Sequence, residues 1–139
     1  MPGLHTIVYV SHAVGDLSVA ELERILEVSR RNNARDGITG ALLHLDGDFM
    51  QCLEGEETMV REAYARIEHD PRHAGAIVLL DEPITGRAFP TWSMAHLRPT
   101  RSELLALSTA DWRERVAHEP GTPSRGLVAL KSFAARYQR

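Results

Sequence analysis

The sequence predicts an α+β domain with one β-sheet, two helices on one face of that sheet and further helices on the other. Two observations support this prediction. Strand-like and helix-like segments follow one another in the order β, α, β, β, α, β, β, and amphipathic helical segments follow the last strand. A sheet has two faces to bury, and the first two helices and the C-terminal helices are the segments that can cover them.

The composition is that of an ordinary globular domain. The chain has 139 residues, 43% of them apolar and 25% charged, enough to bury one core without disulfides or a structural metal. A formal charge of -3 gives no reason to expect a nucleic-acid partner. Cys52 is the only cysteine, and no segment has the pattern of a signal peptide or a membrane span. We therefore expect a cytoplasmic protein with no membrane partner and no metal site.

The first strand and the first helix are predicted from residue type and spacing. Residues 4–11, "LHTIVYVS", are rich in β-branched and aromatic side chains. A helix from about 19 to 34 follows, with Ser18 as its N-cap and Gly37 as its stop signal. Its apolar stripe recurs at intervals of three and four residues and consists of Leu22, Ile25, Leu26, Ser29 and Asn33.

The next segments predict a hairpin and a second helix. Asp46 and Gly47 separate two strand-like runs, and this pair readily adopts the positive φ angles of a type I′ turn. The second helix is predicted before Asp70-Pro71, which ends it. Its apolar stripe consists of Val60, Ala63, Tyr64 and Ile67.

Two further strands complete the predicted sheet. The run "AIVLL" at 76–80 is the fourth, and "FPTWSMAHL" at 89–97 is the fifth, with Trp92, Met94 and His96 on one face. The resulting element order resembles a ferredoxin-like βαββαββ sheet with both helices on one face. We assign it to one domain at 1–98.

The C-terminal segment, 99–139, is predicted to pack on the second face of the sheet. Thr100 and Glu103 form a capping box that opens a helix, and "ADWRERVAH" at 110–118 can extend it. The last helix lies in "RGLVALKSFAARYQR" at 125–139. Its stripe consists of Leu127, Leu130, Phe133 or Ala134, and Tyr137.

Gln51 is the polar residue that a plain core does not explain. On its strand it shares a face with Phe49 and Leu53 toward the two helices, whereas Met50 and Cys52 point the other way. An unpaired buried amide costs about 1–3 kcal/mol, so a polar partner is required. Tyr9, on the neighbouring strand, is the nearest candidate.

Asn33 poses the same question from the first helix. Taken singly, Asn33 is typical of a helix end, Gln51 of a hydrogen-bonded core amide, and Tyr9 of a core tyrosine with a satisfied hydroxyl. Trp92 and Met94 taken singly are ordinary packing residues. A tyrosine, a glutamine and an asparagine that converge beneath two helices predict a flat apolar slot with directed polar groups, which suits a planar heterocycle.

Five segments carry a more specific resemblance. They are "YVS" at 9–11, "SRRNNARDGITGALL" at 29–43, "DGDFMQCLEG" at 46–55, "RIEHDPRH" at 66–73 and "EPITGRAFPTWSM" at 82–94. In this order they resemble the BLUF family, blue-light sensors that hold a flavin, usually FAD, and the likeness runs from about 4 to 98. We expect a short stand-alone member of that family.

The resemblance implies roles for individual residues. The flavin ring is expected between Ile25 and Ile67, with the following residues also in contact with the cofactor: Asn33, Asn32, Arg72, His73, Gln51 and Tyr9. Tyr9 corresponds to the tyrosine that gives an electron and a proton to the excited flavin, and Gln51 to the amide between them. The photoactive set implied by the resemblance is Tyr9, Gln51, Ser11, Trp92 and Met94. Trp92 and Met94 are expected to pass the signal to the C-terminal helices.

No catalytic constellation competes with this interpretation. His69 and His73 have helical spacing, but Pro71 breaks the helix between them, so a metal motif is not predicted. We expect a photoreceptor and no enzyme activity, with FAD as cofactor, FMN as the second possibility, an unidentified protein partner and a homo-oligomeric state. The alternatives are a ferredoxin-like interaction module without photochemistry and a flavin enzyme.

Overall fold

A computed structural model describes residues 3–114 and 123–136 of the chain. Within these residues nine helices and strands follow one another. They are β1 Leu4–Ala13, α1 Val19–Asp36, β2 Thr39–Leu45, β3 Asp48–Glu56, α2 Glu57–Glu68, β4 His73–Pro83, β5 Ala95–Leu97, α3 Arg101–Ser108 and α4 Arg125–Ala135. None of the described helices is long and apolar enough to cross a membrane.

The sheet has the strand order β4-β1-β3-β2-β5, which confirms the predicted ferredoxin-like α+β fold. β1 pairs antiparallel with β3 and β4, β3 pairs antiparallel with β2, and β5 runs parallel to β2. The predicted hairpin joins β2 and β3 through Asp46 at φ 48° and Gly47 at φ 85°. Both central residues have positive φ, as a type I′ turn requires.

Two separate cores lie on the two faces of the sheet. The core beneath α1 and α2 contains Ile7, Tyr9, Leu22, Leu26, Ile38, Leu42, Phe49, Leu53, Val60, Ala63 and Met94. The core beneath the C-terminal helices includes Val8, Met50, Cys52, Leu80, Phe89, Leu104, Leu107, Leu127, Leu130 and Phe133. Strand alternation sends Phe49 to the first core and Met50 to the second, as predicted.

The helix caps also follow the sequence. The Ser18 side chain accepts the N–H of Glu21 at 3.1 Å, and Gly37 ends α1 with φ 68°. Thr100 and Glu103 form the predicted capping box at the start of α3. α1 extends two residues beyond the predicted end, to Asp36.

The predicted helical extension at 110–118 is wrong for its described part. α3 ends at Ser108, and Asp111 then accepts the backbone N–H groups of Arg113 and Glu114 in a turn. Trp112 is 5% exposed and donates its indole N–H to the Leu107 carbonyl at 3.0 Å. Burial of this large ring competes with continuation of the helix. Residues 115–118 and Tyr137 lie outside the described residues.

The predicted fifth strand is also too long. Only Ala95–Leu97 is strand, because Pro90 lies in a turn and the chain then crosses the sheet edge. Trp92 and Met94 are therefore on opposite sides of the sheet. Trp92 packs against the core beneath the C-terminal helices, and Met94 belongs to the core beneath α1 and α2.

Candidate functional site

A cleft of about 250 Å³ lies between α1 and α2, above the middle of the sheet. Ile25 on α1 and Ile67 on α2 contribute apolar wall, and Tyr9 and Gln51 form part of the floor. Most of the predicted cofactor and photoactive residues line this one cleft. The set is Tyr9, Ser11, Ile25, Asn32, Asn33, Gln51, Ile67, Arg72 and His73.

A buried hydrogen-bonded chain runs beneath the cleft. The β1–β3 register sets Tyr9 directly opposite Gln51, and the Tyr9 hydroxyl donates to Gln51 Oε1. Gln51 Nε2 in turn donates to the sulfur of Met94 at 3.3 Å. Each of the three side chains is less than 5% exposed. Gln51 thus meets the requirement for polar partners, with Tyr9 on one side and Met94 on the other.

Tyr9 is held in its protonated form. Burial is the main cause that raises the pKa of its phenol, and Tyr64 and Asp70 raise it further. The Tyr64 ring contacts the Tyr9 ring edge to face, with centroids 5.3 Å apart. Tyr9 is therefore a protonated hydrogen-bond donor at neutral pH.

α1 holds the chain segment just before β5. Asn33 is 4% exposed and donates its Nδ2 hydrogen to the Ser93 carbonyl at 3.0 Å. Arg30 donates to the Met94 carbonyl at 2.9 Å. Asn33 thus lines the cleft and touches the segment that carries Met94, so a contact in the cleft can reach that segment directly.

The loop after α2 forms one end of the cleft and carries charge. Arg72 binds Asp70 through several contacts, and its guanidinium lowers the pKa of the Asp70 carboxyl. His73 donates from Nε2 to the Ile67 carbonyl, while its buried Nδ1 has no partner in the described structure. With Nε2 protonated, Nδ1 is an acceptor, so this nitrogen can receive one more hydrogen bond.

Trp92 and Met94 are the predicted site residues that do not line the cleft, and Trp92 lies on the other face of the sheet. Its ring stacks on Phe89, with centroids 5.4 Å apart and 16° between the planes. The reason is the turn at Pro90, which ends the two-residue alternation expected of a continuous strand. Met94 occupies the position beside Gln51.

Glu54 lies on the same face of β3 as Met50 and Cys52 and was not predicted as a site residue. It is fully buried, and it accepts the N–H of Ala88 at 2.9 Å, the N–H of Phe89 at 2.5 Å and the Thr39 hydroxyl at 3.4 Å. Burial, its largest influence, raises the pKa of this carboxyl. The sequence signal for this site was a glutamate within the apolar strand "FMQCLEG", because a buried carboxylate needs hydrogen-bond donors.

Comparison with known proteins places this geometry in a family. The profile of "BLUF: Sensors of blue-light using FAD" matches residues 4–95. The chain is 38% identical to photoactivated adenylate cyclase subunit beta of Euglena gracilis over 134 residues, which is 91% of this chain and 16% of that protein. It is 36% identical to the blue light- and temperature-regulated antirepressor BluF of Escherichia coli over 86 residues, 62% of this chain and 21% of that protein.

Solved structures have the same fold. The dark-state structure of the BLUF protein BlrB superposes with a TM-score of 0.68 at 39% identity and covers 78% of this chain and 80% of that one. In contrast, this chain spans only about a sixth of the length of the Euglena protein. The region matched by the family model, 4–95, includes the cleft and the sheet as far as the start of β5.

Proposed function

The chain belongs to the BLUF family of blue-light sensors, and we propose that it holds a flavin between α1 and α2 and signals through the hydrogen bonds of Gln51. The observation that carries the proposal is the buried hydrogen-bonded chain beneath the cleft, from Tyr9 through Gln51 to Met94. The family match covers all three residues.

The residues of the cleft suit a flavin. Ile25 and Ile67 offer apolar wall to a flat ring system, and Asn33 and Gln51 carry amides that match the hydrogen-bonding edge of an isoalloxazine. His73 Nδ1 adds a buried acceptor without a partner. A donor such as an imide N–H or a ribityl hydroxyl would satisfy it.

We propose FAD as the cofactor, with FMN as the alternative. The family description names FAD, and the guanidinium groups of Arg66 and Arg72, the latter paired with Asp70, lie at the cleft and can donate to phosphate. Extraction of the pigment from purified protein and chromatography against FAD and FMN standards checks this assignment. Recovery of FMN alone would overturn it.

Tyr9 is proposed as the electron and proton donor. A bound flavin supplies a ring that absorbs blue light and accepts an electron when excited. Tyr9 has an oxidisable phenol, and its hydroxyl already donates a hydrogen bond to Gln51 Oε1, so loss of an electron favours release of that proton toward the amide. Because burial raises the pKa of Tyr9, the donor rests in its neutral form before light.

Gln51 is proposed as the group that changes partners. Its amide presents an acceptor to Tyr9 and a donor to Met94, and rotation or tautomerisation would exchange these roles. Rotation would turn Oε1 toward the Met94 sulfur, which has no hydrogen to donate, so the Gln51–Met94 hydrogen bond would be lost and Nε2 would become a donor elsewhere in the site. We expect a small, reversible red shift of the flavin spectrum that decays in the dark.

The segment at 84–94 is proposed as the first part of the output path. It is held from α1 by Asn33 and Arg30, and from β3 by Glu54. Exchange of two or three hydrogen bonds at about 1 kcal/mol each shifts a conformational equilibrium by a few kcal/mol, whereas inversion of a 1:99 population needs about 5.5 kcal/mol. A partial change in how the C-terminal helices pack, read by a protein partner or by a second copy, is the expected output.

Absorption spectra of the purified protein before and after blue light test the proposal. A yellow protein with a reversible red shift supports it. A colourless protein points to an interaction module, and bleaching with substrate turnover points to a flavin enzyme; either result contradicts the proposed photocycle.

A further inference from the structure

β4 is an edge strand whose outer side has no neighbouring strand in the described structure. It spans His73–Pro83 and pairs only with β1 on its inner side. Ile77 is 62% exposed and Val78 is 42% exposed, and no charged residue occurs from Ala74 to Leu80. Natural edge strands are usually protected by charge or by a covering segment, so an apolar stretch at this place suggests a pairing surface.

The charges that flank this stretch are arranged with opposite signs. The sequence from 72 to 82 reads "RHAGAIVLLDE", with the cationic Arg72 before the apolar run and the acidic Asp81 and Glu82 after it. If two copies pair antiparallel about Ile77, Arg72 of one copy lies opposite Glu82 of the other. In a parallel pair the same residues would set like charges side by side. The pattern is self-complementary in the antiparallel arrangement alone.

The irregularities of β4 have the same symmetry. The pairing with β1 leaves Leu79 without an opposite residue, and it places Gly75 and Ala76 together against Ser11. Gly75 has φ 67°, which identifies it as the bulged position. Gly75 and Leu79 are each two residues from Ile77, so in an antiparallel pair each bulge faces the bulge of the other copy and the register continues beyond them.

We propose that β4 is the surface through which two copies of this chain associate, as an antiparallel β4–β4 pair centred on Ile77. The backbone groups of the two edges complete each other's hydrogen bonds, and Ile77 and Val78 lose their exposure to water. Arg72 already binds Asp70, and Asp81 already binds Arg61, so the flanking charges select the register more than they add affinity. This association depends on the strand edge and requires neither the flavin nor light.

The first experiment places a cysteine at the proposed centre of the pair. Opposed residues of antiparallel strands have Cα atoms about 4.5–5.5 Å apart, which is within the range for a disulfide. Ile77→Cys in the full-length chain is therefore expected to form a disulfide-linked dimer under mild oxidation. Val19→Cys is the matched control, because Val19 is 74% exposed on α1 and remote in the sequence from β4. Cys52 is fully buried and does not interfere.

Sedimentation equilibrium of the wild-type chain and of two edge variants measures the affinity. Ile77→Lys is expected to weaken dimerisation at least tenfold, because it sets two like charges opposite each other. Ile77→Thr retains a residue that favours β-strands, so it replaces the lysine variant if that variant does not fold. Its expected loss of dimer affinity is smaller. Two results would overturn the proposal. One is a wild-type chain that stays monomeric up to about 1 mM, because a dissociation constant above that value is too weak for a specific dimer. The other is a dimer whose affinity Ile77→Lys leaves unchanged.

A mixing experiment tests the register. Arg72→Glu alone and Glu82→Arg alone each set like charges opposite each other in a homodimer, so each is expected to dimerise less well than the wild type. A mixture of the two variants restores both opposite-charge pairs, so heterodimers are expected to recover the lost affinity. Failure of the mixture to recover, when both single variants are weakened, rules out the antiparallel register.

Discussion

Gln51 Nε2 donates a hydrogen bond to the sulfur of Met94 at 3.3 Å, and this contact joins the middle of β3 to the segment that precedes β5. The two residues are 43 positions apart in the sequence. Because Gln51 Oε1 also accepts a hydrogen bond from the Tyr9 hydroxyl, one amide connects the proposed electron donor to the proposed output segment. If the Gln51 amide reorients toward Tyr9, its hydrogen bond to Met94 must change as well.

Tyr9→Phe is expected to keep the flavin and abolish the reversible red shift. The variant retains the ring and its packing but removes the phenolic proton and the donor to Gln51. Visible absorption in the dark and after blue light measures the effect. Tyr64→Phe is the control, since Tyr64 contacts the Tyr9 ring but is not the hydroxyl that donates to Gln51, and it is expected to keep the shift. A normal photocycle in Tyr9→Phe would refute the assigned role.

Met94→Leu is expected to change the rate of dark recovery, whereas Trp92→Phe is expected to leave the size of the red shift unchanged. Leucine keeps the volume of Met94 but does not accept the Gln51 hydrogen bond, and such swaps usually cost less than about 1.5 kcal/mol. Trp92 stacks on Phe89, on the other side of the sheet. Time-resolved absorption compares the two variants. Loss of the shift in Trp92→Phe alone would contradict the position of Trp92.

Glu54 is expected to make stability depend on pH. Its pKa is raised above the ordinary value of 4.5, so the folded state holds a proton that the unfolded chain releases. This contribution is fully present below pH 4.5 and is lost as pH rises through the folded-state pKa. Urea unfolding of wild type and Glu54→Gln across this range is the measurement. The stability of the wild type relative to Glu54→Gln should fall with rising pH.

A matched control is available for that prediction. Glu62 is exposed on α2, and Glu62→Gln is expected to retain the pH dependence of the wild type. If Glu54→Gln retained it as well, the buried carboxyl would not be its source.

Gly40→Ala is expected to destabilise the fold by about 2 kcal/mol or more, because overpacking and backbone strain add. Gly40 has φ 157°, and a Cβ there would lie 1.8 Å from the Cys52 carbonyl oxygen. Gly86 has open space around it, so Gly86→Ala is expected to change stability little. Thermal or urea unfolding compares the two. Equal stability of both variants would contradict the close approach of β2 and β3.

Met50→Leu is expected to alter light-dependent hydrogen exchange in residues 100–114 and 123–136 without loss of flavin. Met50 is fully buried in the core beneath the C-terminal helices, one residue from Gln51 and on the opposite face. A light signal that moves β3 must therefore disturb that core. Hydrogen exchange in light and dark, with mass-spectrometric readout, gives the result. If the wild type shows no light-dependent change there, this output path is excluded.

Local rules account for what could be predicted. Alternation along β3 separated Gln51 from Met50, and the caps at Ser18 and Thr100 follow from side chains that bond backbone groups three residues away. The Asp46-Gly47 turn is likewise a property of two adjacent residues. These features depend on neighbours in the sequence, so the sequence by itself determined the hairpin turn, the helix caps and the face of β3 on which Gln51 lies.

Only the tertiary structure decided the features that depend on distant partners. Met94 lies on the face of the cleft because Gln51, 43 residues away, offers it a hydrogen bond, and this partner is not visible in "FPTWSMAHL". α3 ends at Ser108 because the Trp112 ring is buried against Gly126 of α4, where a side chain would collide with it. Glu54 is tolerated in a core because backbone N–H groups 34 and 35 residues away reach it. The free energy of these contacts belongs to pairs of segments that only the fold brings together.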